Sequence, residues 1–132
     1  MAALLIFFFL ALDTAGRKAI TTDEPLHLTH SITMAQTGAM RIPEMHAPLT
    51  YRLVGSLLLV DEPVPDVTTL ASWPSQNPFF IGRELIRRAD LALDRVVWLG
   101  RFVVVCMGLL LGALMIAWTR SLARGFLPVV AV

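Results

Sequence analysis

The 132-residue sequence has almost no sulfur chemistry: its one cysteine is Cys106. One thiol closes no intrachain disulfide, and a lone thiol builds no zinc site. Cys106 lies inside an apolar run, where cysteine behaves as a small packing residue. Charge is scarce too, at 16% against about 25% in ordinary globular domains. All ten acidic residues lie between Asp13 and Asp94, and beyond Arg101 the only charges are Arg120 and Arg124. The formal net charge is +1 and no Lys/Arg cluster is interleaved with aromatics, so nothing points to nucleic acid as a partner. There is no P-loop, no dinucleotide-binding glycine fingerprint and no G-x-S-x-G, which leaves soluble nucleotide chemistry without support. Internal repeats and low-complexity tracts are also missing.

Apolar residues fill the space, at 56%, and they concentrate at the two ends. Residues 102–118 read FVVVCMGLLLGALMIAW and residues 2–12 read AALLIFFFLAL. A helix rises about 1.5 Å per residue and a bilayer core needs roughly 20 apolar residues. Residues 96–118 meet that length. Trp98 and Trp118 stand near opposite ends of the run, where interfacial tryptophans are enriched. Arg101 lies one turn inside it, from where its long side chain is expected to snorkel to the headgroups. The first run covers only about half a bilayer. It lacks the positive n-region and the well-placed small-x-small site of a signal peptide. Residues 1–12 are therefore expected to be the latter part of a transmembrane helix.

The turn 119–125 is basic and acid-free, as short cytoplasmic loops are, and 126–132 is expected to start a further transmembrane helix. The fold class expected is all-α integral membrane, multi-pass in the cell (inner) membrane, with 13–95 outside it. Within that long loop, Thr22 or Asp23 with Pro25 starts a helix over 24–37 that Gly38 stops. Pro48 opens a second over 48–60, too short to span and expected to be interfacial or re-entrant, with Leu49, Leu53, Leu57 and Val60 on its apolar face. The stretch 61–78 holds four prolines and is expected to be the least ordered part. Asn77 and Pro78 start a third, amphipathic helix over 78–95 that lies on the membrane and leads into the span, with a Glu84–Arg88 pair on its polar side.

Two adjacent carboxylates, Asp23 and Glu24, follow the first apolar run. Such a pair can act as a general base or ligate a metal; equally it can cap a helix and meet its dipole. Asp23, His27 and His30 fall near one face of a helix, an arrangement open to a divalent metal, which is the only cofactor the pattern suggests. Glu44 and His46 place an acid and a histidine before an apolar helix; Glu44 is a further metal candidate, and a solvated loop is the alternative.

The ordered set is apolar helix, Asp23-Glu24-Pro25-x-His27, Thr37-Gly38-x-x-Arg41, His46-Ala47-Pro48-Leu49 and Phe80-x-x-Arg83-Glu84-Leu85, then Asp94-Arg95 and the long apolar helix. This order resembles the start of the C-type (GT-C) membrane glycosyltransferases, in particular the bacterial proteins related to protein O-mannosyltransferases and aminoarabinose transferases. The resemblance implies a multi-spanning helical enzyme, of which this chain is the N-terminal portion. Such an enzyme passes a sugar from a polyprenyl-phosphate donor to an acceptor at the extracytoplasmic face. Carried over by position, the catalytic acid is Asp23 with Glu24 beside it, and His46 and Arg83 are substrate-binding. Where the family usually shows a charged residue and then Pro-Pro-Leu, this chain has Ala47-Pro48-Leu49, so Glu44 falls one place out of step. Two rival readings stand beside this one. The first is a small non-enzymatic membrane protein whose external loop binds a partner. The second is a metal-binding membrane protein using Asp23, His27 and His30.

Overall fold

The computed structural model describes residues 2–38, 48–61, 63–89 and 93–130, and among these every regular element is helical. The order is α1 (Ala2–Arg17), α2 (Glu24–Thr37), α3 (Pro48–Asp61), two short 3-10 turns (Val67–Thr69 and Trp73–Ser75), α4 (Pro78–Ala89) and α5 (Leu93–Val130). α5 is long and apolar enough over Leu93–Ala123 to cross a membrane, and none of its most apolar window is buried within the chain.

α2 sits at the centre although its sequence is barely amphipathic. Every residue from Leu28 to Met34 is buried, including Thr29, His30, Ser31 and Thr33. Hydroxyls are affordable inside because they bond back to their own helix. Thr29 donates to the Pro25 carbonyl, Ser31 to that of His27 and Thr37 to that of Thr33, each at 2.8 Å. The neighbours come close because glycines face them. A Cβ on Gly55 of α3 would lie 2.0 Å from the Ser31 carbonyl oxygen, and one on Gly82 of α4 would lie 2.3 Å from Thr29 Oγ1. Small residues and satisfied hydroxyls are how helices pack where burial of apolar faces is not the driving force. As expected, α2 ends at Gly38, whose φ of 67° is left-handed and whose N–H donates to the Met34 carbonyl at 2.9 Å.

Leu28 and Ile32 of α2, Val54 and Leu58 of α3, Val67 and Leu70 of the first 3-10 turn, Ile81 and Leu85 of α4, and Val96 and Val97 of α5 make the core. α5 gives this core only its first turns. Farther along, α1 runs antiparallel beside it: Phe7 packs where a Cβ on Gly108 would stand 3.4 Å away, and Leu4 crosses at Gly112.

Two expectations, on 61–78 and on 119–125, are corrected, and α3 shows which of its faces turns inward. On α3 the buried face is Tyr51, Val54, Gly55 and Leu58, while Leu49, Leu53 and Val60 are 63%, 44% and 87% exposed. The helix is as expected, and its leucine face is left outward because close approach to α2 turns the glycine side inward.

The stretch 63–77 is tied down. The Gln36 side chain donates to the Pro65 carbonyl at 2.9 Å and accepts from the Val67 N–H at 2.8 Å. Asp66 caps the first 3-10 turn by accepting from the Thr68 hydroxyl at 2.7 Å and the Thr68 N–H at 2.9 Å, and these bonds, the hydroxyl's first, hold its carboxyl below the ordinary range. Glu84 accepts from the N–H groups of Ala71 and Ser72 and from the Ser72 hydroxyl, at 3.0, 2.8 and 2.6 Å. The Ser72 bonds lead in keeping the Glu84 carboxyl below the usual glutamate range. The expected Glu84–Arg88 pair is present at 3.0 Å.

The third helix is capped by Asn77, which accepts from Phe79 N–H at 3.0 Å; α4 is described to Ala89 and α5 from Leu93, and residues 90–92 of the expected 78–95 helix lie outside the described residues. The turn expected at 119–125 is absent, for α5 continues through it to Val130. Its Arg, Leu and Ala are good helix formers, and one glycine does not break a helix.

Candidate functional site

The start of α2 is fixed by an arginine from far along the chain. Arg101 does not extend freely toward headgroups as expected. Its Nε and Nη2 donate to the two oxygens of Glu24 at 2.6 and 2.8 Å. Its guanidinium also reaches the carbonyls of Ala15, Lys18 and Ala19, at 2.6, 2.8 and 3.0 Å. These are the carbonyls that the end of α1 leaves without helical partners. Five donors in a rigid fork suit this task, which a lysine could not perform. Glu24 also accepts from the Thr21 N–H at 2.8 Å. The Arg101 hydrogen bond, above all, keeps its carboxyl below the usual glutamate range.

Under this clasp opens a groove of about 810 Å³ between α1, α2, α3 and α5. Its walls are apolar along the helices, with Phe7, Leu10, Val104 and Val105. Polar groups collect at one end: Lys18, Thr21, Glu24, His27 and Tyr51. Glu24 is neutralised by Arg101, whereas Lys18 has no carboxylate partner among the described residues. His27 Nδ1 and the Tyr51 hydroxyl are 2.9 Å apart, and the Tyr51 ring also lies against the buried His30, with centroids 5.5 Å apart. The groove is therefore an apolar slot with a hydrogen-bonding, cationic end.

On the other side of the α2 N-terminus is a shallower hollow of about 280 Å³, lined by Pro25, Leu26, Phe79, Gly82, Arg83 and Arg87 among others. Asp23 lines neither cavity. It stands at the N-cap position, but its side chain makes no capping bond and it is exposed. The helix start is secured by Glu24 instead, so Asp23 is the carboxylate left available. Protein-family models, characterised proteins and solved structures all return no match to this chain. The site is thus read from its own geometry.

Asp23 and Glu24 stand in different environments, the one exposed and the other clasped by Arg101. Arg83 lines the shallow hollow rather than the groove. His46 and Glu44 lie outside the described residues. Asp23, His27 and His30 do not form a ligand set: Tyr51 packs against both rings, and no group of three metal-type side chains comes together among the described residues. Sequence reasoning missed Lys18, Tyr51 and the role of Arg101. For Arg101 a signal was available, because an arginine inside an apolar run needs a partner by default. Lys18 and Tyr51 carry no sequence mark; only the crossing of α1 and α3 over α5 brings them together.

Proposed function

We propose that this chain forms part of a glycosyltransferase of the GT-C kind. In this reading it sits in a cell membrane as a multi-pass helical protein and transfers a sugar from a polyprenyl-phosphate donor to an acceptor at the extracytoplasmic face. The observation that carries the reading is the amphipathic groove. Its apolar walls suit an isoprenoid chain lying along α5, and its polar end offers Lys18 to a phosphate, with the His27–Tyr51 pair beside it. A preorganised cation near the leaving phosphate lowers the barrier to its departure. Asp23, exposed at the start of α2, is the general base that takes the acceptor's proton as the sugar–phosphate bond breaks. Arg83 orients the acceptor from the hollow. Glu24 acts through Arg101 by holding the end of α1, and with it Lys18, at the mouth of the groove.

The test is Asp23→Asn, assayed as transfer of labelled sugar from a polyprenyl-phosphate donor by membranes containing the protein. Asparagine keeps the size and polarity, and Asp23 caps nothing with its side chain, so folding and insertion should be unchanged. A positioned base contributes about 10²- to 10⁴-fold, and the rate should fall by that much. Retention of more than about half the activity would return Asp23 to the role of a surface residue.

A further inference from the structure

α5 serves as a depth gauge, since a helix rises about 1.5 Å per residue. Arg101 binds the carbonyls of Ala15, Lys18 and Ala19 and the Glu24 carboxylate, so Lys18 shares its level. Pro25 follows Glu24, and a Cβ on Gly82 would lie 3.7 Å from the Pro25 carbonyl oxygen, which brings Arg83 to the same level. On α3, Val54 lies 3.6 Å from a Cβ built on Gly100, and the Thr50 hydroxyl meets Met107 Sδ at 3.8 Å. Arg52 falls between those two contacts. Lys18, Arg52 and Arg83 therefore occupy one slab, about 10 Å deep along α5.

The three cations come from three different elements. None has a carboxylate partner among the described residues, whereas Arg17, Arg88 and Arg101 each hold one. Exposed apolar side chains accompany them: Leu49 and Leu53 beside Arg52, and Phe79 and Phe80 beside Arg83. Trp98, one turn before Arg101, is also partly exposed and stacks on Phe102 with centroids 5.4 Å apart. Of the three cations only Lys18 lines the groove. One ligand in the groove cannot engage all three, but a layer of headgroups can.

We propose that Lys18, Arg52 and Arg83 form a collar that gathers anionic phospholipids around the protein, with Leu49, Leu53, Phe79 and Phe80 set among the lipids at that level. The collar continues the lipid-facing surface of α5 and rests on α5 crossing a bilayer. It does not rest on the transferase reading, because the lipids it binds are bulk membrane lipids and no sugar donor is needed. Part of the loop before α5 is accordingly in the membrane surface rather than clear of it. Near an anionic surface each basic residue contributes about a fivefold enrichment.

The protein is reconstituted into phosphatidylcholine vesicles with Trp73→Phe and Trp118→Phe, leaving Trp98 as the fluorophore within the slab. Quenching is compared between phosphatidylglycerol and phosphatidylcholine carrying the same brominated acyl chains at equal mole fraction. The expected result is about a fivefold preference for the anionic lipid. Arg52→Gln with Arg83→Gln should remove most of it, while Arg17→Gln, whose charge Asp13 already holds, should leave it intact. Equal quenching by the two lipids in the parent protein would overturn the proposal, as would a preference that survives the double change. Should the double variant fail to insert, salt provides the same test. At 1 M the screening length falls to about 3 Å, and a preference indifferent to that change would also overturn the collar.

Discussion

α2 and α5 place polar and apolar residues in opposite ways. α2 is rich in hydroxyls and carries a histidine, yet it is enclosed on all sides. α5 is mostly apolar, yet the window that qualifies it as a span is uncovered by the rest of the chain. The difference teaches what positions each helix. α5 leaves its apolar surface for an environment outside the chain. α2 is held by close backbone approach and by an ion pair at its first residue, and the hydroxyls of Thr29 and Ser31 tolerate burial because each finds a carbonyl one turn back, whereas Thr33 Oγ1 is buried without a partner. The connecting segment of the sequence is thus the packed body of the molecule, and the helices at its two ends are its exposed part.

The comparison breaks most readily at glycine. Gly55→Ala puts a Cβ on top of the Ser31 carbonyl, where the atom in the way is backbone and cannot turn aside. The expected loss is about 3 kcal/mol, read by denaturant unfolding in detergent and followed by circular dichroism. Gly16→Ala in α1 meets nothing within 4 Å and should instead raise stability by up to about 1 kcal/mol. If the two changes have the same sign, close packing of α2 is not what distinguishes it.

The clasp comes next in size. Arg101 and Glu24 keep 17% and 24% side-chain exposure. Removing one partner should therefore cost about 2 kcal/mol, less than the 3–5 of a fully buried pair. Arg101→Gln also strands the carbonyls of α1, so it should be the worse of the two changes. The pair has a pH signature. Glu24 titrates lower in the folded chain than in the unfolded one, so its contribution is fully present above the unfolded value of about 4.3. It is lost as pH falls through the lowered folded value. Glu24→Gln should therefore flatten the acid limb of the stability profile while lowering its plateau. An acid limb unchanged in that variant would detach Glu24 from acid sensitivity.

The smallest effect expected is local. Glu84→Gln weakens the grip on Ala71 and Ser72 without touching the core. Chymotrypsin should then cut after Leu70 markedly faster, with the melting temperature little changed. Unaltered cutting would mean that burial of Val67 and Leu70 alone secures that stretch.

Much of the secondary structure was legible in the sequence: Pro25 and Gly38 bound α2, Pro48 opens α3, Asn77 caps α4, and the apolar run defines α5. Facing was not. Leu49, Leu53, Leu57 and Val60 form a good apolar stripe, but a stripe does not say whether protein or lipid receives it. Gly55, on the other side, made the choice. The 61–78 stretch was misjudged because its prolines were visible, whereas the hydrogen bonds from Gln36 and Glu84 come from distant parts of the chain. At the site, the sequence offered Asp23 and Glu24 as equals, and only the reach of Arg101 separates them. The same arginine decides that Lys18 faces the groove.

Arg101 also sets an order of events during synthesis. It bonds to Glu24 across a separation of 77 residues. At about 5–20 residues per second, α1 and the start of α2 exist for several seconds before their partner is made. During that interval the last carbonyls of α1 have only water or lipid headgroups for company, and the Glu24 carboxylate has no guanidinium. The packed body also waits for Val96 and Val97, which are translated in the same final stretch. This part of the chain therefore closes backward: α5, made after the other helices described, is the one that locks the first two in place.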